Sequence, residues 1–395
     1  MQRPVRVCFW TTTFGPDLIA LAWDLDARDD FELRVAVDNP AAIMAEPSLQ
    51  RRPLRAPLLD KTRGGMRALR RFAPDVVVID NEAPWWRLAR AGFVLWHGYG
   101  WKGPNDLREM ASCYLQLGLH WGSPLHRNKR LRWACFGPQD LDHRTRVARL
   151  SPNNCVEIGA TSHDVLRTPI DRAELARAYP IDVAGRRNVL IAPTWHYGGV
   201  LGHWGDETQM LDRLVGRVRD HGANVILRLH DKWRMSPEIL RVVEDLASRW
   251  DHVLLKFKNE HPDGLADLQI ADVLITNMSS IANLFYATGR PTIHVFPVRD
   301  EHETFTWRRR WLGTIRQSSV SSVREIWKLR PEINGGFMAR SQEELLGQVD
   351  QALADPGCCA ARARWFVDTY MLGADGRACE RVRESLLELA ARVRE

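Results

Sequence analysis

The 395-residue sequence holds seven cysteines with no CxxC pair and only Cys358 and Cys359 adjacent. Neither a disulfide framework nor a zinc ribbon fits that odd count and irregular spacing. The thiols are therefore expected to be reduced, in the cytoplasm. No stretch reaches the ~18–20 apolar residues that a membrane span needs. The opening MQRPVRVCFWTTTFG enters a strand-like run with no long apolar h-region or cleavage site, so any membrane contact is expected to be peripheral. GxxxxGKS and GxxxxGKT are absent, as are HExxH and any Cys/His cluster with ligand spacing. His120 and His126 of LGLHWGSPLH lack an acidic helper. ATP hydrolysis and a resident metal are not expected.

An excess of one charge is also lacking, since the formal net charge is only +6 with 26% charged residues of both signs. A pI near 9.0 permits an anionic partner without identifying one, and no nucleic-acid partner is expected. Low-complexity tracts and repeats are missing, and 45% hydrophobic residues match an ordinary folded chain. The length exceeds the ~100–200 residues of one common core, so two domains are expected.

What is present is a succession of short apolar runs separated by helix-like stretches, the pattern of a parallel sheet covered by helices. In the first half the runs are Val5–Trp10, Leu33–Val37, Asp75–Asp80, Phe93–Gly98 and Cys155–Ala160. In the second they are Asn188–Thr194, Asn224–His230, His252–Lys256, Asp272–Asn277 and Pro291–Phe296, with helices expected near 206–221, 236–250, 264–271 and 280–289. The fold class is α/β, with two Rossmann-like units meeting near TSHDVLRTPIDR at about 161–172. The expected divisions are 1–165, 166–360 and a closing helical segment, 361–395, packing across the domains. That segment carries Val382, Leu386, Leu389, Ala390 and Val393 at helical spacing.

Ligands of open α/β sheets collect at the carboxyl ends of the strands, so polar residues just past each run are the candidates. FVLWHGYGWKG delivers His97 and Lys102 among three glycines that let the backbone turn closely around a ligand; a satisfied structural histidine is the other reading. VLIAPTWHYGG supplies Thr194, Trp195 and His196, suited to a nucleotide or sugar or forming a simple strand exit. VILRLHDK alternates Arg228, His230 and Lys232. Three cations at one strand tip need an anion, either a phosphate or a carboxylate such as Asp231. In DVLITNMSSIANLF, Asn277 follows a strand, and Ser279 and Ser280 stand where a helix must begin. Capping explains one serine; two hydroxyls beside free N–H groups at a helix start also make a phosphate site.

WHGYGWKG, GATSHDVL, APTW, RLH and ADVLITNMSS, in this order and spacing, resemble the CDP-glycerol glycerophosphotransferase family, which builds teichoic-acid-type and capsule polymers. The resemblance spans roughly residues 90–390. It implies a GT-B fold, with an acceptor-side first domain and a nucleotide-donor second domain facing a central cleft. His97 is similar to the family's proposed general base, Lys102 to its lysine, and His230 to the histidine that faces the donor phosphates. Ser279 and Ser280 fall on the serine pair of an Asp-Tyr-Ser-Ser motif at the pyrophosphate. Asn277 and Met278 stand in place of that Asp and Tyr, His196 in place of an Arg, and Asp231 in place of a Pro, so the donor pocket differs.

The activity implied is transfer of a glycerol- or ribitol-phosphate unit from a CDP-activated donor to a hydroxyl of a glycan or lipid-linked acceptor. No metal or other cofactor is required. A GT-B glycosyltransferase using an NDP-sugar is the alternative reading, and a non-catalytic GT-B-like binding protein is a third. TWRRRW, with Arg308, Arg309 and Arg310 between two tryptophans, departs from the family. It is expected to meet the acceptor or an anionic membrane surface at the inner face of the plasma membrane.

Overall fold

Short aliphatic runs buried on both faces form strands only where helices cover both sides, and here they build two such sheets. The computed structural model describes residues 3–394 apart from 81, 97–99, 102–104, 195–203, 205, 232–236, 297–304, 312–313 and 321–326; for 207, 305–311 and 314–320 it describes the backbone. The first half contributes β1 (Val5–Trp10), β2 (Phe31–Val37), β3 (Leu58–Asp60), β4 (Val76–Ile79), β5 (Ala91–Val94), β6 (Leu131–Cys135) and β7 (Cys155–Glu157). They pair in the order 3-2-1-4-5-6-7, all parallel.

The second half contributes β8 (Asn188–Ile191), β9 (Asn224–Leu229), β10 (Val253–Phe257), β11 (Val273–Thr276) and β12 (Thr292–Val295). The hairpin strands β13 (Phe305–Trp311) and β14 (Thr314–Val320) follow, and then β15 (Phe337–Ala339). The second sheet runs 10-9-8-11-12-15, again all parallel, and β13 pairs with β14 antiparallel outside it. Both sheets thus reverse their winding beside the first strand, between β1 and β4 and between β8 and β11. That reversal opens a crevice at the carboxyl ends of those strands.

The four helices expected in the second half form at Glu207–Asp220, Pro237–Arg249, Gly264–Ile270 and Ser280–Phe285. The sequence reading misses β3 and β15, each three residues long, the hairpin, and β6, where Arg132 interrupts the apolar run. The closing segment is two helices, Ala360–Tyr370 and Ala378–Arg394, separated by a turn in which Gly373 and Gly376 take φ of 72° and 80°. The first touches the turn after Phe285 and helix Pro138–Arg146; the second lies on β4, β5 and β6. Arg383 there reaches Asp24 at 2.7 Å, and Arg394 reaches Asp75 at 2.6 Å.

The halves are also joined through the chain after β5. Trp101, 1% exposed, stacks on Phe366 with ring centroids 5.5 Å apart and sits edge-on to Tyr286 and His294. Its indole N–H donates to the Ile333 carbonyl at 2.7 Å, and its own carbonyl accepts from the Lys328 N–H at 2.7 Å. A first-half loop therefore seats its aromatic ring among second-half residues.

Candidate active site

At the second winding reversal, side chains carry on the pairing where the backbone stops. The Ala192 N–H donates to the Ile275 carbonyl at 2.9 Å, and the Thr276 hydroxyl donates to the Ala192 carbonyl at 2.7 Å. One residue further, the Thr194 N–H donates to Asn277 Oδ1 at 2.8 Å, while Asn277 Nδ2 faces the Thr194 carbonyl at 3.4 Å. Asn277 is completely buried. The structure thus brings together two of the sequence-predicted residues, with the Asn277 amide holding the Thr194 loop in place.

Arg228 has a different partner from the one its neighbourhood in sequence suggests. Its Nη1 lies 2.7 Å from Asp267 Oδ2, and its Nη2 donates to the His261 carbonyl at 2.8 Å. Lys256 Nζ and the Tyr179 hydroxyl each lie 2.7 Å from Asp267 Oδ1. Burial alone would raise this fully enclosed carboxyl, yet Lys256 and Arg228 hold it below the ordinary aspartate range. Asp267 comes from helix Gly264–Ile270, which Asp263 caps through the N–H groups of Leu265 and Ala266. Asp231 instead accepts from the Asn259 N–H at 3.0 Å.

His230 stands one residue past β9, half-buried. The Lys258 N–H donates to the Leu229 carbonyl at 3.0 Å, and with the Asn259 contact to Asp231 this ties the end of β10 to both sides of His230. Ser279 takes the N-cap position of helix Ser280–Phe285 with an extended backbone and no side-chain capping bond. Both serines are half-buried. Capping therefore does not account for the Ser279 hydroxyl.

The first-half end of the crevice contains residues the sequence reading does not single out. Thr11, past β1 and fully buried, lies 3.5 Å by its hydroxyl from Asp80 Oδ2, past β4. Asp17 accepts from the Ser162 N–H at 2.9 Å and the Thr161 hydroxyl at 3.3 Å. Desolvation raises its carboxyl to about 6 against those bonds, and Asp80 adds to the rise. The signal was present: TTTFG and Asp80 follow apolar runs just as the chosen motifs do.

Loop and helix contacts join the two ends. A Cβ on Gly100, whose φ is +112°, would meet Asn283 Nδ2 at 2.5 Å, so only glycine fits this approach to helix Ser280–Phe285. On the same helix the Asn283 carbonyl bonds His163 Nε2 of GATSHDVL at 2.8 Å. Burial lowers the pKa of His163, which suits a neutral ring donating to that carbonyl. His97, Lys102 and His196 lie outside the described residues, and Arg308, Arg309 and Arg310 lie on β13, where the backbone alone is described. Among the described residues, no three His, Cys, Asp or Glu side chains could hold a metal ion together, and no helix is long and apolar enough to cross a membrane.

A family model, CDP-glycerol:poly(glycerophosphate) glycerophosphotransferase, matches residues 144–305. That stretch of the chain is similar to this family. The matched region runs from helix Pro138–Arg146 to the start of β13, and it contains Thr194, Arg228, His230, Asn277, Ser279 and Ser280. No curated protein matches the chain by sequence. Among solved structures, the wall teichoic acid polymerase TagF aligns with a TM-score of 0.67 at 13% identity, over 98% of this chain and 89% of that one. A UDP-N-acetylglucosamine 2-epimerase aligns at 0.56 and 14% identity, over 98% and 96%. The UDP-GlcNAc 2-epimerase of Neisseria meningitidis, bound to UDP-GlcNAc, aligns at 0.57 and 12% identity, over 97% and 100%. At these identities the likeness establishes the fold, the GT-B arrangement of two Rossmann-like units.

Proposed function

We propose that the chain moves a glycerol- or ribitol-phosphate unit from a CDP-activated donor to a hydroxyl of a glycan or lipid-linked acceptor in cell-surface polymer synthesis. The observation that carries the reading is the glycerophosphotransferase match over the strands whose carboxyl ends bear His230, Thr194, Asn277, Ser279 and Ser280. Those residues follow the carboxyl ends of the second sheet's strands, where open α/β sheets take nucleotide ligands. In this reading the Ser279 hydroxyl, left without a capping bond, and Ser280 face the donor diphosphate, and His230 stabilises charge on it. His97 takes the proton from the attacking acceptor hydroxyl, and Lys102 adds positive charge near the phosphates; CMP leaves.

The transfer needs no divalent ion, because fixed cations and hydrogen-bond donors serve the phosphates. Arg308, Arg309 and Arg310 bring the cleft to an anionic surface, the inner leaflet of the plasma membrane, with the chain otherwise cytoplasmic. A second reading, an NDP-sugar donor, is favoured by Asn277: the family's acidic residue is replaced by an amide occupied with the Thr194 loop. The test is transfer from CDP-glycerol, CDP-ribitol and a panel of NDP-sugars, in EDTA, by the wild type and His97→Ala. The expected result is turnover with a CDP-polyol in EDTA and a ~10²–10⁴-fold loss in kcat for the variant with CDP affinity kept. Turnover with an NDP-sugar alone would establish the second reading. Turnover restored only by magnesium would overturn the metal-free one.

A further inference from the structure

The carboxyl ends of β9 and β10 carry three described Lys and Arg side chains, and they are not equivalent. Arg228 and Lys256 are both bonded to Asp267 at 2.7 Å, which leaves neither available to a ligand. Lys258, the first residue past β10, makes no ion pair among the described residues. Its backbone N–H is fixed to the Leu229 carbonyl at 3.0 Å, directly beside His230. Lys258 is half-buried, with Asp80 from the first half and Asp231 and Arg228 from the second near enough to act on its charge. Burial lowers its pKa from the ordinary lysine value, and Arg228 adds to that effect. A desolvated cation with carboxylates in range but none bonded to it gains most from a ligand that brings negative charge to it.

We propose that Lys258 contacts the phosphates of the nucleotide-diphosphate donor, beside His230, as a binding residue that nothing in the family's motifs marks. This rests on the reading of the site as a nucleotide-donor crevice. Geometry favours a ligand over a structural role. A lysine that merely joined the halves would bond Asp80, and a lysine serving its own loop would bond Asp231, whose carboxylate is engaged by Asn259. The ligand that such a lysine takes is anionic at the point of contact, as a diphosphate is.

Calorimetry with CDP, cytidine and inorganic pyrophosphate on the wild type, Lys258→Met and Lys258→Arg tests this. A charge-assisted contact predicts that Lys258→Met weakens CDP and pyrophosphate roughly 10–100-fold, leaves cytidine unchanged, and is largely rescued by Lys258→Arg. Unchanged affinity for CDP and pyrophosphate in Lys258→Met would overturn the proposal, as would an equal loss for cytidine, which would mean a collapsed pocket. If Lys258 served Asp80 instead, Asp80→Asn and Lys258→Met would lower the melting temperature alike while CDP affinity held, which also overturns it. A wild type that binds pyrophosphate but not CDP, with the pyrophosphate lost in Lys258→Met, would sink the cytidine reading and support the Lys258 contact. A wild type that binds neither would overturn both.

Discussion

The two halves wind in the same order around their first strands, yet their crevice ends are furnished oppositely. Past β1 and β4 stand Thr11, Asp17 and Asp80, with Asp17 raised to about 6 by desolvation. Past β8, β9, β10 and β11 stand Thr194, His230, Lys258 and Asn277, with two further cations locked below them on Asp267. Identical topology places a ligand site at the same point of each sheet. The residues that follow each strand then decide its chemistry: carboxylates on one side, cations and amide or hydroxyl groups on the other.

The largest test of the contrast is Asp267→Asn. It strips the carboxylate from a buried cation pair, and uncompensated buried charge costs about 3–5 kcal/mol of stability. Denaturant unfolding is the measurement, and a loss under about 1 kcal/mol would mean that Arg228 and Lys256 find other partners. A smaller effect is expected on the hairpin, where Arg308, Arg309 and Arg310 changed together to Ser should weaken binding to anionic liposomes by about 3 kcal/mol at low salt. Binding indifferent to salt and to the substitution would confine the cationic character to the crevice.

The smallest expected effect lies at the seam. Glu46 of the first half accepts from the Asp263 N–H of the second, and burial together with the Asp263 charge raises its carboxyl from 4.5 to about 7. The folded state then holds this proton more tightly than the unfolded chain does. Its contribution is full below the ordinary value of 4.5 and is lost as pH rises through about 7. Glu46→Gln should flatten that decline by roughly 2 kcal/mol in a stability series across this window. An unaltered slope would remove Glu46 as its source.

Much of this architecture is written in the sequence, because a strand buried on both faces has to be an uninterrupted apolar run. β1 and β11 could be read for that reason, while β6 could not, since Arg132 makes its segment look like part of a basic cluster. Within the site, the order His230, Asn277, Ser279, Ser280 was legible because each follows a run. The partner of Arg228 was not. Asp267 is 39 residues away on a helix whose position was foreseen, but which of its faces meets β9 depends on packing. Lys258 escaped notice because the run appeared to end at Lys256, whereas β10 continues to Phe257. Trp101 carried no expectation from the sequence, because its role exists only once the second half is folded around it.

That tryptophan has a mechanical consequence. Trp96 is held in the first half, its ring 5.2 Å from Trp133 and under the Arg144 guanidinium, with φ of 59°. Trp101 is seated in the second half, five residues later. Five residues span at most about 16–18 Å when fully drawn out. As long as both rings stay seated, the two halves are leashed at this edge and cannot part there by more than that span.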